Sequence, residues 1–166
     1  MKANLLISYE PTHELLAKEE ASSLLSSVKE KPSFLEAGTP GLFKISVKDA
    51  KKVVKDLSKI HKKDKEKFKY TCNYIPIDDW CKSSVAEMQK KIKTFDKIIK
   101  DNEKWKMELH KRNYKDDGKL IIKLTEMINK PKVDLEKPDK IIKVEIIGKE
   151  AGISLLNKDE LFSVKR

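Results

Sequence analysis

Phe34-Leu35-Glu36-Ala37-Gly38-Thr39-Pro40-Gly41-Leu42-Phe43-Lys44-Ile45 is the stretch on which the fold turns. Two short apolar runs, Phe34-Leu35 and Leu42 to Ile45, flank a Gly-Thr-Pro-Gly segment, and that pattern reads as two strands joined through a turn. Upstream, Pro32 ends a region in which Leu15, Leu16, Ala21, Leu24, Leu25 and Val28 recur at helical spacing, with Thr12 placed as its N-cap. Before that, Leu5-Leu6-Ile7, stopped by Tyr9-Glu10-Pro11, reads as a short buried strand. Downstream, Asp49 caps a second helix with Ala50, Val53, Val54, Leu57 and Ile60 on its inner face, and a strand follows from Phe68 to Ile75. The order strand, helix, strand, strand, helix, strand is that of a ferredoxin-like unit.

A second unit begins near Asp78-Asp79-Trp80, with the two aspartates read as capping a helix from Ser83 to about Lys100. That helix keeps Val85, Met88, Ile92, Phe95, Ile98 and Ile99 on one face, while Lys90, Lys91, Lys93, Lys97 and Lys100 fall mainly on the other. Trp105 to Leu109 alternates as a half-buried strand does. Leu120, Ile121, Leu124, Met127 and Ile128 mark another helix, ended by Pro131. Three strands are expected after it, at Val133–Leu135, Ile141–Ile147 and Ile153–Leu156. The expected fold class is thus α/β (α+β), a ferredoxin-like domain over 1–80 and a second domain over 81–166.

The chain has 166 residues and carries 37 Lys and Arg against 27 Asp and Glu. A net charge of +10 favours a polyanionic partner, and nucleic acid is the commonest. Counted by segment, residues 61–132 hold 20 cations against 12 carboxylates, whereas 133–166 balance at 7 against 7. No apolar run reaches the roughly 20 residues that a membrane helix needs, and the first residues lack the apolar length of a signal peptide. A soluble cytoplasmic protein is expected. Cys72 and Cys81 are too far apart for a C-x-x-C motif and read as free thiols, and His13, His61 and His110 stand apart from one another.

The motifs of catalysis are missing. Gly148-Lys149-Glu150-Ala151-Gly152 lacks the Gly-Lys-Ser/Thr ending of a phosphate-binding loop, and neither G-x-G-x-x-G nor G-x-S-x-G occurs. His110, beside Lys111-Arg112, reads as a surface histidine near phosphate or solvent rather than a proton-transfer group. A binding module is expected, with no catalytic residue, no metal and no cofactor. Lys104-Trp105-Lys106 and Lys111-Arg112-Asn113-Tyr114 combine cations with aromatic rings along one strand and its exit, as RNA-binding surfaces do.

Val133-Asp134-Leu135-Glu136-Lys137-Pro138-Asp139-Lys140, leading into the alternating strand Ile141 to Ile147, resembles the signature of THUMP domains. Gly152-Ile153-Ser154 matches the hairpin that follows, and Lys111-Arg112 resembles the family's basic strand exit. Asn4 to Tyr9, Gly41-Leu42-Phe43 and Tyr74 to Asp78 are similar to the stand-alone THUMP proteins related to the adaptor of tRNA cytidine acetyltransferase. The resemblance implies a non-catalytic protein whose two units together hold the tRNA acceptor region for a separate modifying enzyme, an acetyltransferase or another. The expected RNA-binding residues are Lys106, Lys111, Arg112, Tyr114, Lys119, Lys123 and Lys132, and alanine at Lys111 and Arg112 is expected to weaken tRNA binding. One departure stands in the strand exit, where Asp116-Asp117-Gly118 replaces the further arginines the family often has. The competing expectations are an RNA-modifying enzyme acting alone and a protein-interaction adaptor whose charge is incidental.

Overall fold

The computed structural model describes residues 2–164 and resolves them into two compact units, one of residues 2–77 with 159–164, the other Asp78–Lys158. The first contains β1 (Leu5–Tyr9), α1 (Glu14–Ser27), β2 (Ser33–Leu35), β3 (Leu42–Ser46), α2 (Ala50–Lys63) and β4 (Thr71–Pro76). Its sheet order is β2-β3-β1-β4, extended at the β4 edge by β9 (Phe162–Ser163). Antiparallel pairing sets Leu5 opposite Ile45 and Ile7 opposite Phe43, so alternate side chains of β1 and β3 enter one core with Leu25, Val54, Leu57 and Tyr74. This is the expected ferredoxin-like arrangement.

Local chemistry explains most of the element ends. The Asp49 carboxylate accepts the Lys52 N–H at 3.2 Å and starts α2, as the sequence indicated. Thr12 does not cap α1: it lies in a short 3-10 turn (Pro11–His13), and its hydroxyl donates to Glu10 instead. Gly41 carries φ +83° beside Pro11, a left-handed conformation that suits glycine at the entry to β3. Glu20 ties α1 to β4 by accepting the N–H groups of Lys69, Tyr70 and Thr71 and the Thr71 hydroxyl. The last residues, expected with the second domain, join the first unit because Asn73 and Tyr74 pair with Ser163 and Phe162. Phe162 then stacks on Tyr74 in the first core.

The second unit contains β5 (Asp79–Lys82), α3 (Val85–Asp96), β6 (Trp105–Arg112), α4 (Leu120–Thr125), β7 (Lys140–Ile147) and β8 (Glu150–Asn157). Its sheet order is β5-β8-β7-β6, with β6 parallel to β7 across the α4 connection. Met88 and Ile92 of α3 and Leu120 and Leu124 of α4 share a core with Trp105, Met107, Ile142, Val144, Ile146 and Ile153. Both helices therefore cover the same face of this sheet.

Several boundaries differ from the expected ones. Asp78 and Asp79 do not cap a helix; they belong to an edge strand and the residue before it. The Asp78 carboxylate accepts the Leu155 N–H at 2.9 Å, and Asp79 pairs with Lys91. Ser84 caps α3, which ends at Asp96, and this leaves Ile98 outside the apolar face and exposed. Val133–Leu135 forms one isolated bridge to Trp105 rather than a strand, because Asp134 turns the chain by accepting the Glu136 and Lys137 N–H groups.

Candidate nucleic-acid interface

Strand β6 holds three of the expected RNA-binding residues and sends them to two different faces, since successive strand side chains alternate. Trp105, Met107 and Leu109 point into the helix-covered core, and Lys111 shares their parity. Lys106, Glu108, His110 and Arg112 lie on the opposite face, in register with Ile141, Lys143, Glu145 and Ile147 of β7.

On that opposite face the charges neutralise one another. Lys106 Nζ is 2.7 Å from Glu108 Oε2, and Lys143 Nζ lies 3.3 Å from Glu108 Oε1 and 3.6 Å from Glu145 Oε1. Arg112 Nη1 donates to Glu145 Oε2 at 3.1 Å, and His110 Nδ1 is 3.5 Å from the same oxygen. The Glu145 side chain is 0% exposed and that of Arg112 15%. Burial pushes the Glu108 carboxyl up, but Lys106 and Lys143 outweigh it and hold it below its ordinary range. Burial first, and Arg112 second, depress His110 despite the Glu145 charge. This is an internal ion-pair array, and its cations are already spent.

The strand exit is neutralised as well. Lys111 pairs with Asp116, whose carboxylate also accepts the Gly118 N–H and is thereby held below its ordinary range. The Asp116-Asp117-Gly118 segment thus uses Lys111 to brace the approach to α4. Tyr114 is half-buried against the core of this unit. Lys132 is exposed, but its carbonyl accepts the Trp105 N–H, which sets it at the start of β6. Seven residue steps separate Trp105 at that end from Arg112, about 23 Å at roughly 3.3 Å per residue.

Besides Lys132, the expected residues that remain both exposed and, among the described residues, without an ion pair are Lys119 and Lys123. They sit four positions apart at the start of α4 and on it, hence on one side of it. The structure adds Lys90, Lys93 and Lys97, all exposed and likewise outside any ion pair among the described residues. At 100° per residue these three fall within an arc of about 60° on α3. Gln89, about 40° around α3 from Lys93 but about 100° from Lys90, donates its Nε2 to the Lys123 carbonyl at 3.0 Å, which places α4 on the Lys93 side of α3. Asp96, further along, accepts the Asn129 N–H at 2.7 Å and repeats the junction. Five exposed lysines therefore lie along the two helices, Lys93 and Lys123 next to the α3–α4 seam and Lys90, Lys97 and Lys119 on the outer faces beside it, with Glu126 an exposed carboxylate on the α4 side. The i, i+3, i+7 spacing of Lys90, Lys93 and Lys97 is the sequence signal for this surface, and it is weaker than the aromatic-flanked basic strand because a lysine stripe on an amphipathic helix is also an ordinary solvated face. The charge excess assigned to the middle of the chain is also divided, since residues 61–77 belong to the first unit.

Among the described residues no group of three or more His, Cys, Asp and Glu side chains is arranged to hold a metal ion, and no helix is long and apolar enough to cross a membrane.

Residues 82–156, nearly the whole of the second unit, match the THUMP domain. The chain thus carries a THUMP domain behind a ferredoxin-like unit. No curated protein matches it in sequence. In fold it is similar to PH1313 from Pyrococcus horikoshii, with a TM-score of 0.63 and 14% identity over 95% of this chain and 55% of that one. It is also similar to TrmN from Thermus thermophilus, with a TM-score of 0.60 and 14% identity over 91% of this chain and 44% of that one. The chain thus spans about half the length of these solved proteins, and the likeness is one of fold.

Proposed function

We propose that this chain is a cytoplasmic tRNA-binding protein that holds the acceptor region of tRNA through the α3–α4 seam of its THUMP domain. In this reading it presents the tRNA to a separate modifying enzyme, a cytidine acetyltransferase in the first instance. The observation that carries the reading is the coincidence of the THUMP match with five exposed lysines at and beside that seam, none of which pairs with a carboxylate among the described residues. Unpaired cations gain most from phosphate contact, because binding releases the counterions condensed on the nucleic acid and breaks no protein ion pair. A row of lysines on two adjacent helices suits a duplex read by shape and phosphates, as an acceptor stem is.

The non-catalytic part of the proposal is supported by the state of the ionisable groups on the sheet. His110, Glu108 and Glu145, the side chains best suited to proton transfer, are engaged with Arg112, Lys106 and Lys143. The test is fluorescence anisotropy with a tRNA transcript, heparin as competitor, and a parallel incubation with tRNA and acetyl-CoA. Binding to tRNA that survives heparin at physiological salt, without any modified base from this protein alone, is the expected result. Equal displacement by heparin refutes RNA recognition, and a modified base refutes the adaptor role.

A further inference from the structure

Strand β6 closes one edge of the second sheet, and at eight residues it is the longest edge strand among the described residues; β5, β2 and β9 have four, three and two. Its backbone groups alternate in direction as its side chains do. Lys104 and Arg112 turn their carbonyls toward β7, accepting the N–H groups of Lys140 and Gly148, so Lys106, Glu108 and His110 face β7 as well. Trp105 faces the other way: its N–H donates to the Lys132 carbonyl, and its own carbonyl accepts the Asp134 N–H. Met107, Leu109 and Lys111 share that outward direction. Among the described residues nothing hydrogen-bonds their backbone groups on that side. Met107 is only 7% exposed, so solvent is a poor substitute for a partner there.

An open strand edge is a template for another strand, and this one is a bounded window. Residues 132–134 occupy the edge at Trp105, and the chain leaves the strand at Asn113 with φ +53°. We infer that two copies of this chain pair through β6, antiparallel about a two-fold axis at Leu109, joining their four-stranded sheets into one. In that register Leu109 pairs with its own copy, and Met107 pairs with Lys111 of the copy, twice by symmetry. Each pair exchanges two hydrogen bonds, about six in all. Lys111 keeps its charge on Asp116. On the face away from the helices, Glu108 of each copy lies opposite His110 of the other, and side-chain exposures of 32% and 52% leave both within reach. The like-charged pair, Lys106 opposite Arg112 of the copy, is softened because Glu108 and Glu145 already neutralise them. Moving the axis by one residue loses a pair and sets Glu108 or His110 against itself. The copy's chain turns away at Asn113 opposite Trp105, where residues 132–134 close the window. Self-pairing is favoured over a foreign strand because the window and its Glu108 and His110 flanks are symmetric about Leu109. The contact uses none of the five lysines at and beside the seam, so it stands apart from RNA binding.

So short a window makes a small contact, and a dimer Kd on the order of 10 µM is expected. Sedimentation velocity of the full chain across that range should show monomer giving way to dimer and to nothing larger. Residue-resolved hydrogen exchange by NMR should show the Met107, Leu109 and Lys111 amides slowing as concentration rises. Those of Lys106, Glu108 and His110, which face β7, should not change. Leu109→Pro removes an N–H that bonds nothing within the chain, a change that edge strands tolerate. It deletes two of the intermolecular bonds, and at about fivefold each the dimer Kd should rise roughly 25-fold. The inference is overturned if the chain stays monomeric, if a dimer forms whose protection lies elsewhere, or if a folded Leu109→Pro dimerises as wild type does. Oligomers that grow with concentration overturn it as well, since they mean a head-to-tail contact. Should Leu109→Pro lose its circular dichroism signal, the wild-type exchange pattern decides by itself.

Discussion

Replacing Arg112 by alanine separates two roles that look alike in sequence. In the structure its guanidinium is 3.1 Å from Glu145, whose side chain is 0% exposed. Removing it leaves a buried carboxylate facing only Lys143 at 3.6 Å and His110 at 3.5 Å. Breaking a buried pair by deleting one partner costs about 3–5 kcal/mol, and the remaining lysine argues for about 3. With a urea m-value of about 2 kcal/mol per molar, the midpoint should fall by about 1.5 M. The assay is selective, because Trp80 and Trp105, the only two tryptophans of the chain, both lie in the second unit, so fluorescence follows that unit. Glu145→Gln in the Arg112→Ala background removes the stranded charge and should recover most of the loss. An unchanged midpoint for Arg112→Ala together with weakened tRNA binding would refute the reasoning, and Arg112 would then be a phosphate ligand.

Three further outcomes are expected. Five phosphate contacts give a salt slope near −4.5 on duplex RNA, taking the B-DNA value of about 0.9 per contact; Lys93→Ala with Lys123→Ala should bring it to about −2.7, and an unaltered slope by anisotropy removes the seam from the interface. Folding depresses His110 below its ordinary 6.5, so the folded state takes up its proton less readily than the unfolded chain. Its stabilising contribution is full above 6.5 and is lost as pH falls through the lowered value. Denaturation midpoints of wild type and His110→Gln should therefore converge with acid, and a gap that widens instead contradicts the sign. Gly41→Ala places a Cβ 3.1 Å from Pro11 Cγ and 3.2 Å from the Tyr9 carbonyl oxygen at φ +83°. That strain should cost about 2 kcal/mol in thermal or chemical melts, and a neutral variant means the loop adapts.

Much of this architecture could be read before any coordinates, for physical reasons. Buried runs such as Leu5-Leu6-Ile7, the Asp49 cap and the glycine turn before Leu42 are local signals, and each appears where local chemistry places it. What escaped was set by distant partners. The two-residue strand β9 exists because Phe162 finds Tyr74, nearly ninety positions away, and β5 exists because β8 offers it an edge. The same holds for the candidate site. Charge and aromatic spacing located a basic segment, but strand alternation and the pairing of Arg112 with Glu145 and Lys111 with Asp116 decided which cations stay available. The carboxylate that neutralises Arg112 is 33 residues along the chain and announces itself only through the β6–β7 register.

Lysine acylation footprinting with and without bound tRNA, read residue by residue by mass spectrometry, tests the central claim most directly. Lys90, Lys93, Lys97, Lys119 and Lys123 should lose reactivity together when tRNA binds, while exposed Lys59 on α2 keeps its own. If those five remain as reactive as in the free protein while lysines elsewhere are shielded, the α3–α4 seam is not the RNA-binding surface.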